Sequence, residues 1–297
     1  MGLIIFSIVL ARIDLGGMSE VITSARPGLI LAAVALTVPF FFVKSYRWQR
    51  ILRRYEIDVS SRQALQMYCA GLFVGQATPG QLGELVRARF LWARGHDPIK
   101  ATVSVVVDRA LDLVALVLVA IPGFGLVFGT GAAVVSLIAL LAMTITIILV
   151  RPRKVLHVIS GKLGARTHGV ASRIEELIDS MEQSMRTKGD VSFFVITTLG
   201  VLGINMVRFY LLLMSLGLSL PIVSFVLGVP LANLLGLLPI TIFGVGTRDA
   251  VLALVFHQAG GTTEDAVAFS LMILGVAYAL NFVWGFVAWQ LEAGRTK

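Results

Sequence analysis

The feature that most constrains this chain is a series of long, nearly uninterrupted apolar segments. They lie at residues 28–43, 101–121, 130–150, 191–214 and 266–291. The cations that follow the first segment, at 44–54, predict an interfacial helix with a basic face, and Pro122-Gly123 predicts a turn after the second segment. A helix needs about 20 apolar residues to cross roughly 30 Å of hydrocarbon. Only 14% of the 297 residues are charged and the mean hydropathy is +0.88, which is too little charge for the surface of a soluble protein of this length. The sequence therefore predicts an all-α integral membrane protein.

Residues 1–11 form a further apolar run, which is too short to span and meets Arg12 directly. Because the run lacks the basic start of a secretory signal, we interpret it as part of a first helix. The chain is then predicted to have about six spanning helices in a single polytopic membrane domain, residues 1–297. The largest polar stretch, residues 151–190, is predicted to connect a first half at 28–150 with a second half at 191–291.

Two shorter apolar segments are each broken in the middle by a turn-forming sequence. Residues 64–92 break at Thr78, Pro79, Gly80 and Gly83, and residues 225–258 break at Thr241, Gly244 and Gly246. Half-length helices on either side of such a break are typical of re-entrant helical hairpins. Both breaks share a threonine followed by a glycine five positions later, which favours an inverted repeat whose two tips meet near the midplane.

Lysine and arginine are distributed unevenly over the polar segments. Residues 44–62, 87–100, 151–188 and 295–297 are basic, whereas residues 216–223 and 259–265 contain neither lysine nor arginine. Basic loops favour the cytoplasm, so this pattern predicts a multi-pass protein of the cell membrane with cytoplasmic basic loops and carboxyl terminus. All basic segments can lie on the cytoplasmic side only if both broken segments are hairpins and do not cross the membrane. The first hairpin then enters from the cytoplasm and the second from outside.

Asp108, Arg109 and Asp112 lie within the predicted span at 101–121. An ionised side chain at the bilayer centre costs roughly 2.5–3.5 kcal/mol on insertion scales, so these groups need partners. Their spacing allows Arg109 to pair with Asp112 on one helix face, and Asp108 is predicted to pair with Arg87. Three interpretations remain open: a charge network that locks helices together, a polar lining for a headgroup or proton path, and a position near an interface that the side chains reach by snorkelling.

The second arm of each predicted hairpin begins with an acidic and a basic residue, Glu84 with Arg87 and Arg248 with Asp249. Helix amino termini attract phosphate through unpaired N–H groups and the helix dipole, and arginine can bind phosphate with two hydrogen bonds. These residues are therefore candidates for binding a lipid phosphate. The alternative is that each acid–base pair only satisfies the end of its hairpin.

Arg208 lies within the predicted span at 191–214 and requires a carboxylate or a ligand anion, so it is also a candidate. Asn205 and Asn281 are predicted to make hydrogen bonds between helices. Cys69 is the single cysteine and the four histidines are scattered, so no metal site or cofactor is predicted. The net charge of +8 is attributed to lipid contacts and not to nucleic acid.

Four blocks of the sequence resemble the transmembrane region of lysylphosphatidylglycerol synthases and their stand-alone relatives, often called flippase-like. They are KSYRWQRIL at 44–52, TPGQLGELVR at 78–87, SVVVDRALDL at 104–113 and GVGTRDA at 244–250. The family patterns that they match include Pro-Gly-x-x-Gly-Glu/Asp-x-x-Arg at the first tip and Glu/Asp-Arg-x-x-Asp in the following span. The second tip departs from the family pattern, because Phe243 replaces a glycine and Asp249 a glutamate.

This resemblance implies a flippase-like transporter that moves an anionic phospholipid or a polyprenyl-phosphate-linked lipid between leaflets. The aminoacyl-transferase domain of the synthases has no counterpart here, so aminoacyl transfer is not expected. An alternative is a membrane enzyme, or enzyme subunit, in lipid glycosylation, with Glu84, Asp108 and Asp112 as acid or base. A structural partner for a separately encoded transferase is a third hypothesis, and a homo-oligomer is left open.

Overall fold

The computed structural model describes residues 25–132, 134–138, 188–238 and 246–293. Every regular element in these ranges is a helix. Within the described ranges, three helices are long and apolar enough to cross a membrane, namely Pro27–Arg54, Pro98–Phe128 and Gly189–Ser215. The prediction of an all-helical membrane protein is confirmed. The predicted helix at 1–11, most of the segment at 130–150, the connector at 151–187 and the tip residues Thr241 and Gly244 lie outside the described residues.

The first half comprises α1 (Pro27–Ala35), α2 (Thr37–Arg54), α3 (Ser61–Gln76), a 3₁₀ tip segment (Pro79–Leu85), α4 (Val86–Trp92) and α5 (Pro98–Phe128). Local side chains set two of these helix starts. The Ser60 hydroxyl accepts a hydrogen bond from the Gln63 amide at 3.3 Å. Asp97 accepts one from the Ile99 amide at 2.8 Å. Both contacts satisfy N–H groups that a helix leaves unpaired at its amino end.

Two of the basic residues that follow the first apolar segment, Lys44 and Arg47, lie inside the protein. The sequence favoured an interfacial helix with a basic face after residue 43, but α1 and α2 form one span, Pro27–Arg54. Lys44 is only 6% exposed and Arg47 is fully buried. The prediction of an interfacial helix was wrong here, because carboxylates of α5 neutralise both cations in the interior.

The predicted turn at Pro122 is also wrong, because α5 continues through this residue to Phe128. Proline is tolerated within transmembrane helices when neighbouring groups satisfy the backbone. Gly123, the next residue, packs against α7, and a Cβ atom added there would lie 2.4 Å from the Leu227 carbonyl oxygen. The helix ends instead at Gly129, whose φ of 89° suits glycine.

The second half comprises α6 (Lys188–Ser215), α7 (Ile222–Gly236), α8 (Thr247–Gln258), α9 (Thr263–Met272), a π-helical segment (Ile273–Tyr278) and α10 (Ala279–Ala293). Helices α7 and α8 correspond to the two arms predicted at 225–258. The span predicted at 266–291 is helical throughout, although the π-helical segment divides it.

The two halves pack together in a reciprocal way. Helix α3, before the break of the first half, packs along α10, and α7, before the break of the second half, packs along α5. Each contact uses a glycine, Gly285 of α10 in the first and Gly123 of α5 in the second. A Cβ atom on Gly285 would lie 2.7 Å from the Cys69 carbonyl oxygen, as one on Gly123 would crowd Leu227. Helices α1 and α2 also pack against α6.

We expect Gly285→Ala to destabilise the contact between the halves. The added methyl group would lie 2.5 Å from Cβ of Phe73, and overpacking of this kind typically costs about 1–3 kcal/mol. Gly200→Ala on α6 is the matched control, since nothing lies within 4 Å of a Cβ atom there. Thermal unfolding in detergent measures both variants, and equal melting temperatures would contradict close packing at Gly285.

Candidate functional site: a buried charge cluster beside a polar cavity

Charged side chains from both sides of the first break meet inside the protein. This charge cluster consists of Lys44, Arg47, Glu84, Arg87, Asp108, Arg109 and Asp112. It joins α2, the tip segment, α4 and α5, so residues 68 positions apart in sequence are in contact. Within this cluster, four cations face three carboxylates, which leaves a formal surplus of one positive charge.

Asp108 lies at the centre of the charge cluster and is fully buried. Its Oδ1 atom accepts from Arg47 Nη2 at 2.7 Å and from Arg47 Nε at 3.0 Å. Its Oδ2 atom accepts from Arg87 Nη1 at 3.0 Å, the partner expected from the sequence. Buried ion pairs of this kind are costly to break, because removing one partner leaves an uncompensated charge.

The other two carboxylates are also shared between pairs of cations. Asp112 contacts Lys44 at 2.7 Å and Arg47 at 2.8 Å. Glu84 accepts from Arg87 at 3.0 Å and from Arg109 at 2.9 Å. Arg109 therefore donates to Glu84 and not to Asp112, its predicted partner. The break places Glu84 beside α5, while α2 supplies the cations for Asp112.

The Arg87 guanidinium is held between two aromatic rings. It lies 4.9 Å from the ring centroid of Trp48 and 4.4 Å from that of Tyr68. Such cation–π contacts add about 0.5–2 kcal/mol each. Glycines of α3 make room for the charged side chains, since a Cβ atom on Gly71 would lie 2.4 Å from Arg87 Cγ and one on Gly75 would lie 2.5 Å from Glu84 Cγ.

The backbone at the first tip is satisfied by the protein itself. Gly80 and Gln81 have φ angles of 63° and 58°, so the chain turns through the left-handed region. The Thr78 hydroxyl accepts from the Gly83 amide at 2.7 Å and donates to the Gly75 carbonyl at 2.9 Å. The Gly83 N–H group is therefore already paired, and it is not available to a phosphate.

The second break contains a separate polar group around Ser270 of α9. Arg248 donates to the Ser270 hydroxyl at 2.6 Å, and that hydroxyl makes a short hydrogen bond to Asp249. Asp249 also accepts from the Gly246 amide at 2.9 Å. At both breaks the geometry thus fits the alternative in which local side chains satisfy the hairpin ends.

A polar cavity of about 160 Å³ lies next to the charge cluster. It is bordered by residues of α2, α3, α5, α6, α7 and α10, so it lies between the two halves. Its polar lining is Lys44, Gln76, Gln81, Arg109, Asp112, Thr198, Asn205, Arg208, Asn233 and Asn281. Three of these described lining residues are cations and one is a carboxylate, and this excess of positive charge suits an anion.

Arg208 borders the cavity from the opposite half of the protein to Arg109. Its guanidinium lies 5.2 Å from the ring centroid of Phe40 and donates to Asn205 Oδ1 at 3.4 Å. Arg109 has a side chain that is 19% exposed, and it is held by Glu84. The two arginines therefore reach one cavity from helices that belong to different halves.

Comparison with known proteins shows which family the chain belongs to. The family description of the lysylphosphatidylglycerol synthase transmembrane region matches residues 1–285. The chain belongs to this family. It is 23% identical to a UPF0104 membrane protein of Methanothermobacter thermautotrophicus, with 90% of this chain and 86% of the relative covered. A UPF0104 membrane protein of Methanocaldococcus jannaschii is 25% identical, with 94% and 89% covered. No solved structure matches the chain.

For this member of the family, the structure brings together five of the sequence-predicted site residues, Glu84, Arg87, Asp108, Arg109 and Asp112. Arg208 shares the cavity with Arg109 and Asp112. Arg248 and Asp249 lie instead in the separate group at Ser270, and neither borders the cavity within the described part of the chain.

Sequence reasoning missed Lys44 and Arg47 as members of the charge cluster. A signal for them was present, because they are three positions apart on one helix face and lie in one of the four family-like blocks. Three carboxylates placed in or near the membrane also required more cations than Arg87 and Arg109. The amides of Gln76 and Asn233 were missed as well, since neither stands out in its apolar segment.

Proposed function

We propose that the protein is a flippase-like transporter that translocates an anionic phospholipid or a polyprenyl-phosphate-linked lipid across the cell membrane. The observation that carries this proposal is the polar cavity between the two halves, which Lys44, Arg109 and Arg208 make electropositive. A pocket for a soluble cofactor would not need to lie among membrane helices. A lipid phosphate that crosses the bilayer, in contrast, needs polar groups along its path between those helices.

The fold proposed with this function has about six spanning helices and two oppositely oriented re-entrant hairpins. Helix lengths support the hairpins, since 16-residue α3 and 15-residue α7 extend only about 24 Å and 22 Å, less than the hydrocarbon thickness. The reciprocal packing of α3 on α10 and α7 on α5 supports an inverted repeat. The basic loops and the carboxyl terminus are cytoplasmic in this proposal.

The charge cluster determines how much positive charge borders the cavity where a lipid phosphate would bind. Glu84 and Asp112 hold Arg109 and Lys44 in place, and the surplus positive charge matches the single negative charge of a phosphodiester. Hydrogen bonds between arginine and phosphate are strong because both groups are charged. Arg109 and Arg208 are thus proposed to bind the phosphate from opposite halves, while Arg87 and Asp108 keep the first half rigid.

We expect Arg109→Gln and Arg208→Gln each to slow translocation of fluorescent phosphatidylglycerol in proteoliposomes by roughly tenfold, from loss of a charge-assisted hydrogen bond. Arg89→Gln is the matched control, because Arg89 is exposed on the same short helix as Arg87. Folding is checked by size-exclusion chromatography. Translocation at the wild-type rate in folded Arg109→Gln and Arg208→Gln variants would contradict the proposal.

The same preparation distinguishes the transporter from an enzyme of lipid glycosylation. Each carboxylate of the charge cluster contacts two cations, so its oxygens are already engaged within the protein and are poorly placed to act on a substrate. We therefore expect no sugar transfer from a polyprenyl-phosphate sugar by the chain alone. A separately encoded transferase and a second copy of the chain remain proposed partners, which co-purification would reveal.

A further inference from the structure

Among the described residues, two groups of ion pairs join the halves of the protein. In the first, here called the Asp190 group, Asp190 in the first turn of α6 contacts Arg50 at 3.4 Å and also Arg54, both on α2. In the second, the Glu292 pair, Glu292 in the last turn of α10 contacts Arg94 between α4 and α5. Each time, a carboxylate of the second half meets cations of the first half.

Both groups lie on the side of the basic segments and at a distance from the polar cavity. At a rise of 1.5 Å per residue, Asp190 lies about 12 Å along α6 from Thr198, which lines the cavity. By the same measure, Glu292 lies about 16 Å along α10 from Asn281, another lining residue. The ion pairs are therefore placed between the cavity and the water at the basic end of the helices.

Large side chains fill the space between the cavity and this end. Trp48, Ile51 and Leu52 of α2 are fully buried, as is Leu91 of α4. They belong to one hydrophobic cluster with Phe194 of α6, so side chains from both halves close the path together. The conformation that the structure shows is therefore closed toward the basic side.

At the opposite end, the described contacts between the halves include hydrogen bonds of neutral groups. Gln258 Nε2 of α8 donates to the Val127 carbonyl of α5 at 2.8 Å. The backbone amide of Arg26 donates to the Ser215 carbonyl at 2.7 Å. In the described part of the chain, the ion pairs between the halves thus lie at the basic end, which distinguishes the two ends of the cavity.

Ion pairs at this position can separate without leaving a charge in the interior. The side chains of Arg50 and Arg54 are 39% and 31% exposed, so water already reaches them. Glu292 is fully buried while it contacts Arg94, but it lies at the end of α10 and becomes hydrated if that end moves away. Exposed ion pairs contribute little to stability, whereas those of the charge cluster have no water to replace a lost partner.

We infer that the Asp190 group and the Glu292 pair form a gate between the cavity and the basic side of the membrane. Both must separate before a lipid headgroup can enter or leave on that side. The inference rests on the proposed function, which sends a lipid through the cavity, and it adds a movement of α6 and α10 away from α2 and the α4–α5 connection. In the proposed orientation the gate faces the cytoplasm.

The accessibility of the cavity to a water-soluble thiol reagent tests the gate without depending on transport. Ala115→Cys places a thiol on the cavity lining in a Cys69→Ala background, since Cys69 is the single cysteine. Sulfonatoethyl methanethiosulfonate, an anion that suits the positive cavity, is applied to sealed membrane vesicles of either orientation. A separate Arg62→Cys protein marks the basic side, because Arg62 is exposed there. With the gate intact, we expect slow labelling of the cavity from this side.

Opening either ion-pair group is expected to speed labelling from the basic side alone. For Arg50→Gln combined with Arg54→Gln, we expect a roughly fivefold faster rate. This protein is expected to fold, because the helix dipole still stabilises Asp190 in the first turn of α6. Arg94→Gln is expected to act in the same way. The exchange of Arg94→Glu with Glu292→Arg re-forms the pair, so its rate is expected to lie within about twofold of the starting protein.

Glu56→Gln is the matched control, since it breaks the 2.7 Å ion pair with Lys100 inside the first half and is expected to leave the labelling rate unchanged. The gate would be overturned by an unchanged rate in the folded arginine variants, or by a rise from both sides or in the control. Faster labelling from the basic side in a protein that does not translocate phosphatidylglycerol would support the gate and contradict the proposed function. The two failures are therefore distinguishable.

Discussion

Asp108→Asn is expected to lower the free energy of unfolding by about 3–5 kcal/mol, the cost of removing one partner from a buried ion pair. Asp108 is fully buried and accepts hydrogen bonds from both Arg47 and Arg87. Asparagine has nearly the same volume, but its NH₂ group would face a guanidinium donor. Arg47 and Arg87 would keep Asp112 and Glu84 as partners but would lose the charged acceptor of three hydrogen bonds, so most of the protein is expected to unfold or aggregate during purification.

The measurement is thermal unfolding in detergent, followed by fluorescence-detected size exclusion. Glu56→Gln is the matched control, since Glu56 lies in the turn after α2 and makes a 2.7 Å ion pair with Lys100 in the first turn of α5. That pair lowers the pKa of Glu56, but it is solvent-exposed and contributes little. Equal melting temperatures for Asp108→Asn and Glu56→Gln would show that the charge cluster does not hold the helices together.

Gly83→Ala is expected to disrupt the first tip and to cost about 3 kcal/mol, at the upper end for overpacking. A Cβ atom at this position would lie 2.4 Å from the Val74 carbonyl oxygen and 2.8 Å from the Thr78 hydroxyl. Both neighbours are fixed, the first as backbone and the second by its hydrogen bonds to Gly75 and Gly83. The tip must therefore move, and Glu84 moves with it away from Arg109.

Gly203→Ala on α6 separates this effect from a general effect of alanine, because nothing lies within 4 Å of a Cβ atom there. Replacing glycine in a helix is expected to leave that variant unchanged or slightly more stable. Thermal unfolding and phosphatidylglycerol translocation are measured for both proteins. A Gly83→Ala protein with wild-type stability and transport would mean that the close contact with Val74 has no role.

Much of the helical architecture could be predicted from local sequence signals. The break at residues 78–83 separates α3 from α4 in the pattern that proline and glycine predict, and α8 ends at Gln258, the predicted end of the second broken segment. Pro122 misled the prediction, because the helix continues through the proline where the next residue, Gly123, packs against α7. That effect depends on a contact about 100 positions away, which a local pattern does not contain.

Predictions for the site succeeded where an unpaired charge demanded a partner and failed where several partners competed. Asp108 was expected to reach Arg87, and the pair is present at 3.0 Å. Arg109 was predicted to pair with Asp112, the carboxylate three positions away, but in the structure it donates to Glu84 of the tip segment. Lys44 and Arg47 resembled an interfacial basic face, since sequence alone does not show which face of α2 meets α5.

The most direct test of the proposed cavity is to locate the phosphate of a bound lipid. A phosphatidylglycerol analogue with a photoreactive diazirine beside its phosphate is cross-linked to the protein in nanodiscs, and the labelled peptides are identified by mass spectrometry. We expect labels at cavity residues of both halves, near Arg109 on α5 and near Asn205 and Arg208 on α6. Labels confined to outward-facing residues such as Leu31, Val38 and Phe42 would contradict a headgroup site between the halves.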